Sequence, residues 1–203
     1  MAVKFYSGAS GTGSEFKIAV GRLDSASGGE TSMSATSEPS QVRVYNTGKS
    51  NGDLIDFTYA TGTVSFTSYT AVTGDKIIAI AGDKELFSDD YVIGNSSTGS
   101  EREAEQLFYV NVSGSDEDNC ILSFEDLVAA EGAATTWFTL TTTGDGSTGD
   151  YSGKTPGASL DLGDLADGSD QLVYAKLAVP ESTAKQNARD VLIKFNSLSG
   201  ATN

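Results

Sequence analysis

The sequence predicts an all-β fold: an antiparallel β-sandwich, immunoglobulin-like or jelly-roll-like, with long Gly/Ser loops and very little helix. Three observations carry this. Short runs rich in β-branched and aromatic residues recur along all 203 residues. Several runs alternate apolar and polar residues with a period of two, the mark of a half-buried strand. Between them lie clusters of Gly, Ser, Asn and Asp, the residues that turns select.

In chain order the strand-like runs fall at residues 3–6, 16–20, 41–46, 54–59, 63–68, 76–81, 91–93, 106–112, 120–124, 136–142, 159–162, 171–179 and 191–195. In Gln41-Val42-Arg43-Val44-Tyr45 the two valines face one way. In the last run Val191, Ile193 and Phe195 share a face. The run 76–81 is the longest apolar stretch and has the length of a strand. The turn clusters fall at 8–14, 25–31, 47–53, 94–100, 113–119 and 144–153. Asn51-Gly52 and Asp167-Gly168 suit tight turns with positive φ. Residues 25–40 are small and polar and read as an exposed loop or arm.

Helix is scarce. Residues 100–106 suit one or two turns behind a Ser cap, and 125–131 suit another short turn. Residues 181–189 are helical by propensity, but Pro180 precedes them and strands flank them, so a loop or a single helical turn is expected. Strand spacing continues through the composition shift near residue 100. The chain therefore reads as one continuous sandwich over 1–203. The alternative is an N-terminal β domain, 1–100, and an immunoglobulin-like domain, 101–203. No repeat of solenoid or propeller length is evident.

Composition works mainly by exclusion. The net charge is −15 and the pI near 4.2. Phosphate contacts need clustered Lys and Arg, so neither nucleic acid nor an anionic membrane surface is an expected partner. No apolar run approaches the roughly 20 residues of a membrane span. Cys120 is the sole cysteine, which excludes an internal disulfide, and its neighbours Ile121 and Leu122 mark it as a small buried hydrophobe. The start, Met1-Ala2-Val3-Lys4-Phe5-Tyr6, is strand-like and carries no apolar leader, although the composition is that of an extracellular β-protein. Release within assembled particles would reconcile the two.

Candidate sites are few. The sequence has no His, which removes the commonest general base and metal ligand. Lys76, Lys84 and Lys154 lie in no Ser-x-x-Lys setting. A two-carboxylate glycosidase stays formally open, because 28 acidic residues always supply pairs, but no pair lies in an aromatic-rich setting. The expectation is a non-enzyme without a cofactor. Asp161, Asp164, Asp167 and Asp170 recur every three residues around Gly163 and Gly168 and are weak Ca²⁺ candidates; a solvated edge is the commoner origin of such a pattern. Asp145, Asp150 and the run 116–119 read as turn acids. Asn95 and Asn111 begin glycosylation-type triplets that arise readily by chance. Trp137 opens a strand and suits core or interface packing, whereas Tyr6, Tyr45, Tyr59, Tyr69 and Tyr109 are candidates for a carbohydrate-binding surface.

From Ser159 the chain reads Ser-Leu-Asp-Leu-Gly-Asp-Leu-Ala-Asp-Gly-Ser-Asp-Gln-Leu-Val-Tyr-Ala-Lys-Leu-Ala-Val-Pro180, then a short connection and a last apolar strand. This resembles the ending of immunoglobulin-like β-sandwich structural proteins of tailed bacterial viruses, of the virion surface or capsid decoration type. Leu165, Gly168, Val173, Val179, Pro180 and Ile193 carry the match. Lys176 and Tyr174 stand where those proteins usually have Arg and an aromatic residue. The resemblance implies a capsid decoration or cement protein located in the virion, with a viral capsid or other structural protein as partner and a homo-oligomeric state. Two other readings stand beside it. One is a subunit of an extracellular filament assembled by strand exchange, which would need an export signal. The other is a carbohydrate-binding module.

Overall fold

The structure, a computed structural model, describes residues 2–45, 52–87, 102–127, 134–179 and 191–198. It is all-β. In chain order the strands are β1 (Ala2–Gly8), β2 (Thr12–Phe16), β3 (Ile18–Leu23), β4 (Ser32–Ser34), β5 (Gln41–Tyr45), β6 (Asp53–Leu54), β7 (Phe57–Ala60) and β8 (Thr63–Phe66). They continue with β9 (Lys76–Ala81), β10 (Arg102–Ser113), β11 (Glu117–Asp126), β12 (Phe138–Thr141), β13 (Leu160–Leu165), β14 (Asp170–Val179) and β15 (Val191–Asn196). Two short 3-10 turns, Ala9–Gly11 and Ala134–Trp137, are the helical elements among the described residues.

These strands form four open sheets with antiparallel pairing. A five-stranded sheet has the order β12-β14-β10-β1-β2, and a three-stranded sheet the order β13-β11-β15. A four-stranded sheet runs β3-β9-β5-β6 and a second three-stranded sheet β4-β8-β7. Chain order and sheet membership do not coincide. The β1–β2 hairpin pairs with β10, from Ala2 opposite Ser113 to Tyr6 opposite Tyr109. The chain then leaves that sheet between Phe16 and Ile18, and β3–β9 build two of the other three, the β9 sheet and the β8 sheet.

Alternation explains which face of each strand is inside. Val42 and Val44 are fully buried on β5, while Gln41 and Arg43, which alternate with them, are half-exposed. One large apolar cluster takes residues from every sheet. Phe5, Phe108 and Val110 come from the five-stranded sheet, and Leu122 and Phe195 from the β11 sheet. Ile18, Val42 and Ile77 come from the β9 sheet, and Val64 from the β8 sheet. Strand β9 breaks the alternation because both of its faces are covered. Ile77, Ala79 and Ala81 enter the large cluster, whereas Ile78 and Ile80 join a smaller one with Ala19, Tyr45, Leu127 and Leu192. A strand buried on both sides has no polar face, which is why residues 76–81 form the longest apolar run.

The passage between sheets is tight. The Lys17 N–H donates to the Lys84 carbonyl at 2.8 Å, and the Lys84 ammonium lies 5.3 Å from the centre of the buried Phe16 ring. Gly82, at φ +87°, passes so close that a Cβ there would stand 2.4 Å from the Phe16 carbonyl oxygen. The β7–β8 hairpin turns on Thr61 and Gly62, both at positive φ, as a two-residue loop of matching twist requires.

Several expectations are corrected. Of the run 100–106, the described residues 102–106 form no helix: they belong to β10, whose pairing with β14 over ten residues outweighs local helix propensity. Residues 25–40 are no free arm. They contain β4, bury Ala26, Met33 and Ala35, and are tied by the Ala26 N–H to the Asp75 carbonyl at 2.8 Å. The run 16–20 divides between β2 and β3 at Lys17, and 54–59 is interrupted at Ile55 and Asp56, because both cross from one sheet to another. The cluster 8–14 contains the start of β2. Trp137 closes a 3-10 turn instead of opening a strand. Glu125 and Asp126 end β11 and form no helical turn. The expected strand 91–93, the turn at Asn51, residues 128–131 of the run 125–131 and the segment 181–189 lie outside the described residues. The alternative domain cut at residue 100 also falls there.

Phe108 is fully buried and its ring centre lies 5.2 Å from that of Phe5, across the β1–β10 pair. Phe108→Ala is expected to cost about 3–5 kcal/mol of folding stability, as large-to-small changes at filled core sites do. Urea unfolding followed by tryptophan fluorescence measures this; a loss below about 1 kcal/mol would contradict the packing described.

Candidate functional site

The four aspartates of the β13–β14 hairpin are each committed to a different partner. Asp161 accepts from the Gly163 N–H at 2.8 Å and Asp164 from the Asn119 N–H at 2.9 Å. Asp167 accepts from the Gly114 N–H at 2.7 Å. Asp170 accepts from the Asn111 side-chain amide at 2.8 Å and also from the Ser10 N–H. Asp161 therefore closes the hairpin's own bend, while the other three fasten the hairpin to residues 111–119 and to Ser10, and the four do not converge. Among the described residues no three Asp, Glu or Cys side chains approach closely enough to hold a metal ion.

The same chemistry recurs in other loops. Asp116 accepts from the Asp167 N–H at 2.8 Å, so two turns are laced together in both directions. Asp145 takes the N–H groups of Ser147 and Thr148 at 2.8 and 2.7 Å, and Asp150 takes that of Ser152 at 3.0 Å. Glu30 takes those of Ser27 and Gly28, both at 2.9 Å. These backbone donors hold the carboxyls of Glu30, Asp145 and Asp150 below their ordinary range. Loops without ladder partners leave backbone N–H groups open, and short acidic side chains satisfy them.

The tyrosines divide among several places. Tyr45 is buried in the smaller cluster, and Tyr59 and Tyr69 lean on the large one. Tyr6 and Tyr109 stand opposite one another on the five-stranded sheet, on the face away from the core, and both are half-buried. The Tyr69 hydroxyl donates to buried Asp75 at 2.5 Å; burial first, and the adjacent carboxylate second, push the phenol up to about 12. Tyr151 donates to Glu105 at 3.0 Å and is likewise shifted upward by burial and that carboxylate. Cys120 is fully buried beside the carbonyl of Glu117, and burial pushes its thiol up, away from reactive thiolate. Glu117 itself is 1% exposed and accepts from the hydroxyls of Ser115 and Ser197.

Two further features were not visible in the sequence. Lys4, Glu15, Glu38, Pro39 and Gly82 line an open cleft of about 420 Å³, with Lys4 and Glu15 paired at 2.9 Å. The second is an ionic junction centred on Glu125 of β11. Arg22 of β3 and Lys76 of β9 each donate to it at 2.7 Å, and Lys194 of β15 lies at 3.5 Å. Asp24 completes it, 2.6 Å from Arg22. The group sits where the β9 sheet meets the β11 sheet, beside the smaller apolar cluster. Arg22 and Glu125 are 103 positions apart, so no local pattern announces the pair. Burial alone would raise the Glu125 carboxyl, but the bonds from Lys76 and Arg22 outweigh it and hold the group at about 2.

With this geometry established, comparison with known proteins adds no relative: no family model, no curated protein and no solved structure matches the chain. The fold and its junctions define the class, an all-β protein of several packed antiparallel sheets.

The junction gives a signed pH prediction. Glu125 has a folded value of about 2 against an ordinary 4.5, so its stabilisation is present above pH 4.5 and is lost as pH falls through 2. Glu125→Gln keeps the shape and removes the charge. At pH 7 it is expected to cost about 2 kcal/mol, allowing for partial solvent screening. The deficit should shrink as the natural protein is itself protonated. Urea melts of both chains at pH 7, 4 and 2.5 read this directly, and a deficit that stays constant across that range rejects it.

Proposed function

We propose that this chain is a non-enzymatic structural protein of a virus particle, a decoration or cement protein that stabilises the shell by repeated sandwich contacts. The observation that carries the reading is the C-terminal strand pattern, residues 159–195, now seen as β13, β14 and β15 serving two sheets that share one apolar cluster. Its physical support is stiffness. The first hairpin is laced to β10 and β14, the loops are fastened by carboxylate-to-amide bonds, and charged side chains clamp the sheets at Glu125. An element that resists pressure needs those properties, because a compliant one would deform first. Weak contacts repeated around a shell sum to strong attachment by effective concentration. The charge of −15 keeps free copies apart until a surface collects them.

The test is the protein's own location. Particles are isolated on a density gradient from the culture that naturally makes the chain, and their proteins are quantified by mass spectrometry. The expected result is this chain in fixed ratio to the major shell protein. Recovery only in the soluble fraction, or as polymers free of shells, rejects the proposal and favours a binding module or a filament subunit respectively.

A further inference from the structure

Open sheets leave edges, and the unpaired N–H and C=O groups of an edge strand template pairing with another chain unless they are covered or guarded. In this fold most edges are managed. On the five-stranded sheet, the Glu15 carbonyl of β2 accepts from the N–H groups of Asp83 and Lys84, both at 3.2 Å. At its opposite edge the Phe138 carbonyl of β12 accepts from the Gly157 N–H at 2.7 Å. In the β11 sheet, β13 carries Asp161, Gly163 and Asp164 and is bulged against its neighbour, while β15 lies against β3. In the β9 sheet, the Val20 carbonyl of β3 accepts from the Thr36 N–H at 2.7 Å, and β6 is two residues long and begins with Asp53. In the β8 sheet, β4 abuts β3.

Strand β7 is the exception. Its sequence, Phe57-Thr58-Tyr59-Ala60, has no charge, proline or bulge, and β8 is its only strand partner among the described residues. The surroundings are equally unguarded. Residues 57–74 contain no charged side chain, in a chain of net charge −15. The outward positions of the β8 sheet are Ser32, Ser34, Thr58, Ala60, Thr63 and Ser65, all exposed and all small. Two copies of an acidic protein repel each other over most of their surface, so contact costs least where charge is absent. A face of small residues also puts no bulky side chain in the way of a sheet that continues into a neighbour.

We propose that β7 is a self-association edge, at which two copies of this chain join by antiparallel β7–β7 pairing about a two-fold axis and merge two three-stranded sheets into one of six. The inference deepens the structural-protein reading and rests on it for its purpose. The edge is short, so the isolated pair is weak, on the order of the small transient interfaces. Crowding on a shell surface raises its occupancy.

Sedimentation equilibrium of the full chain, up to a few hundred micromolar, is the experiment. The natural chain should show a concentration-dependent dimer. Thr58→Lys with Ala60→Lys, at two exposed positions, should weaken it at least tenfold while leaving the thermal melt unchanged. A second variant avoids reliance on loss alone. Cys120 is buried, so Thr58→Cys with Ala60→Cys supplies the accessible thiols. Mild oxidation should link this variant into dimers at least tenfold faster than a Ser152→Cys control in an exposed loop. A monomeric natural chain, an undiminished dimer in the lysine variant, or cross-linking no faster than the control each overturns the inference. The two proposals fail separately. Chains that band with particles but do not pair through β7 reject this one, and chains that pair but are missing from particles reject the function.

Discussion

The pairing of β1 with β10 is the constraint on which the other elements depend. It joins residues more than a hundred positions apart, from Ala2 opposite Ser113. It can form only if β3–β9 fold out of the way and return the chain close to where it left. That return is marked at Lys17 and Lys84, where two backbone segments touch, and at Gly82, which has no room for a side chain. Phe5 and Phe108 then meet across the pair, and the large cluster closes over them. Such long-range closure loses chain entropy before the contacts compensate, so it is typical of slowly folding β-proteins.

Acidity has a structural use here beyond solubility. Loops rich in Gly and Ser have backbone N–H groups without ladder partners, and leaving such groups unpaired is costly wherever water is excluded. Asp116, Asp145, Asp150, Asp161, Asp164 and Asp167 each accept at least one of them. The spacing of Asp161, Asp164, Asp167 and Asp170 looks like a cation loop on paper. In space the turn geometry sends each carboxylate to a different amide. The charge that remains outward separates copies in solution, and it makes the uncharged β8 sheet stand out.

The two clamps between sheets differ in kind. The apolar one, Ile78 and Ile80 against Leu127 and Leu192, excludes water and is insensitive to pH. The ionic one at Glu125 has three cations around one carboxylate and depends on that carboxylate remaining charged. Side by side they make the contact of the β9 sheet with the β11 sheet both tight and oriented.

The sequence by itself determined the all-β class, most strand positions and the turn at Asp167-Gly168, because these follow from side-chain alternation and local backbone preference. It also determined that Cys120 is an apolar residue, since its neighbours already mark a strand. It was misread at 100–106, where helix propensity is real but a ten-residue ladder to β14 overrides it, and at 25–40, where small polar residues concealed Met33 and Ala26 in the core. Only the tertiary structure decided that β1 and β2 belong with β10, β14 and β12, that Glu125 meets Arg22 and Lys76, and that β7 has β8 as its one strand partner among the described residues. Each of these depends on which strands become neighbours. Strand order is set by packing of the whole chain, and alternation within one strand carries no information about its partner.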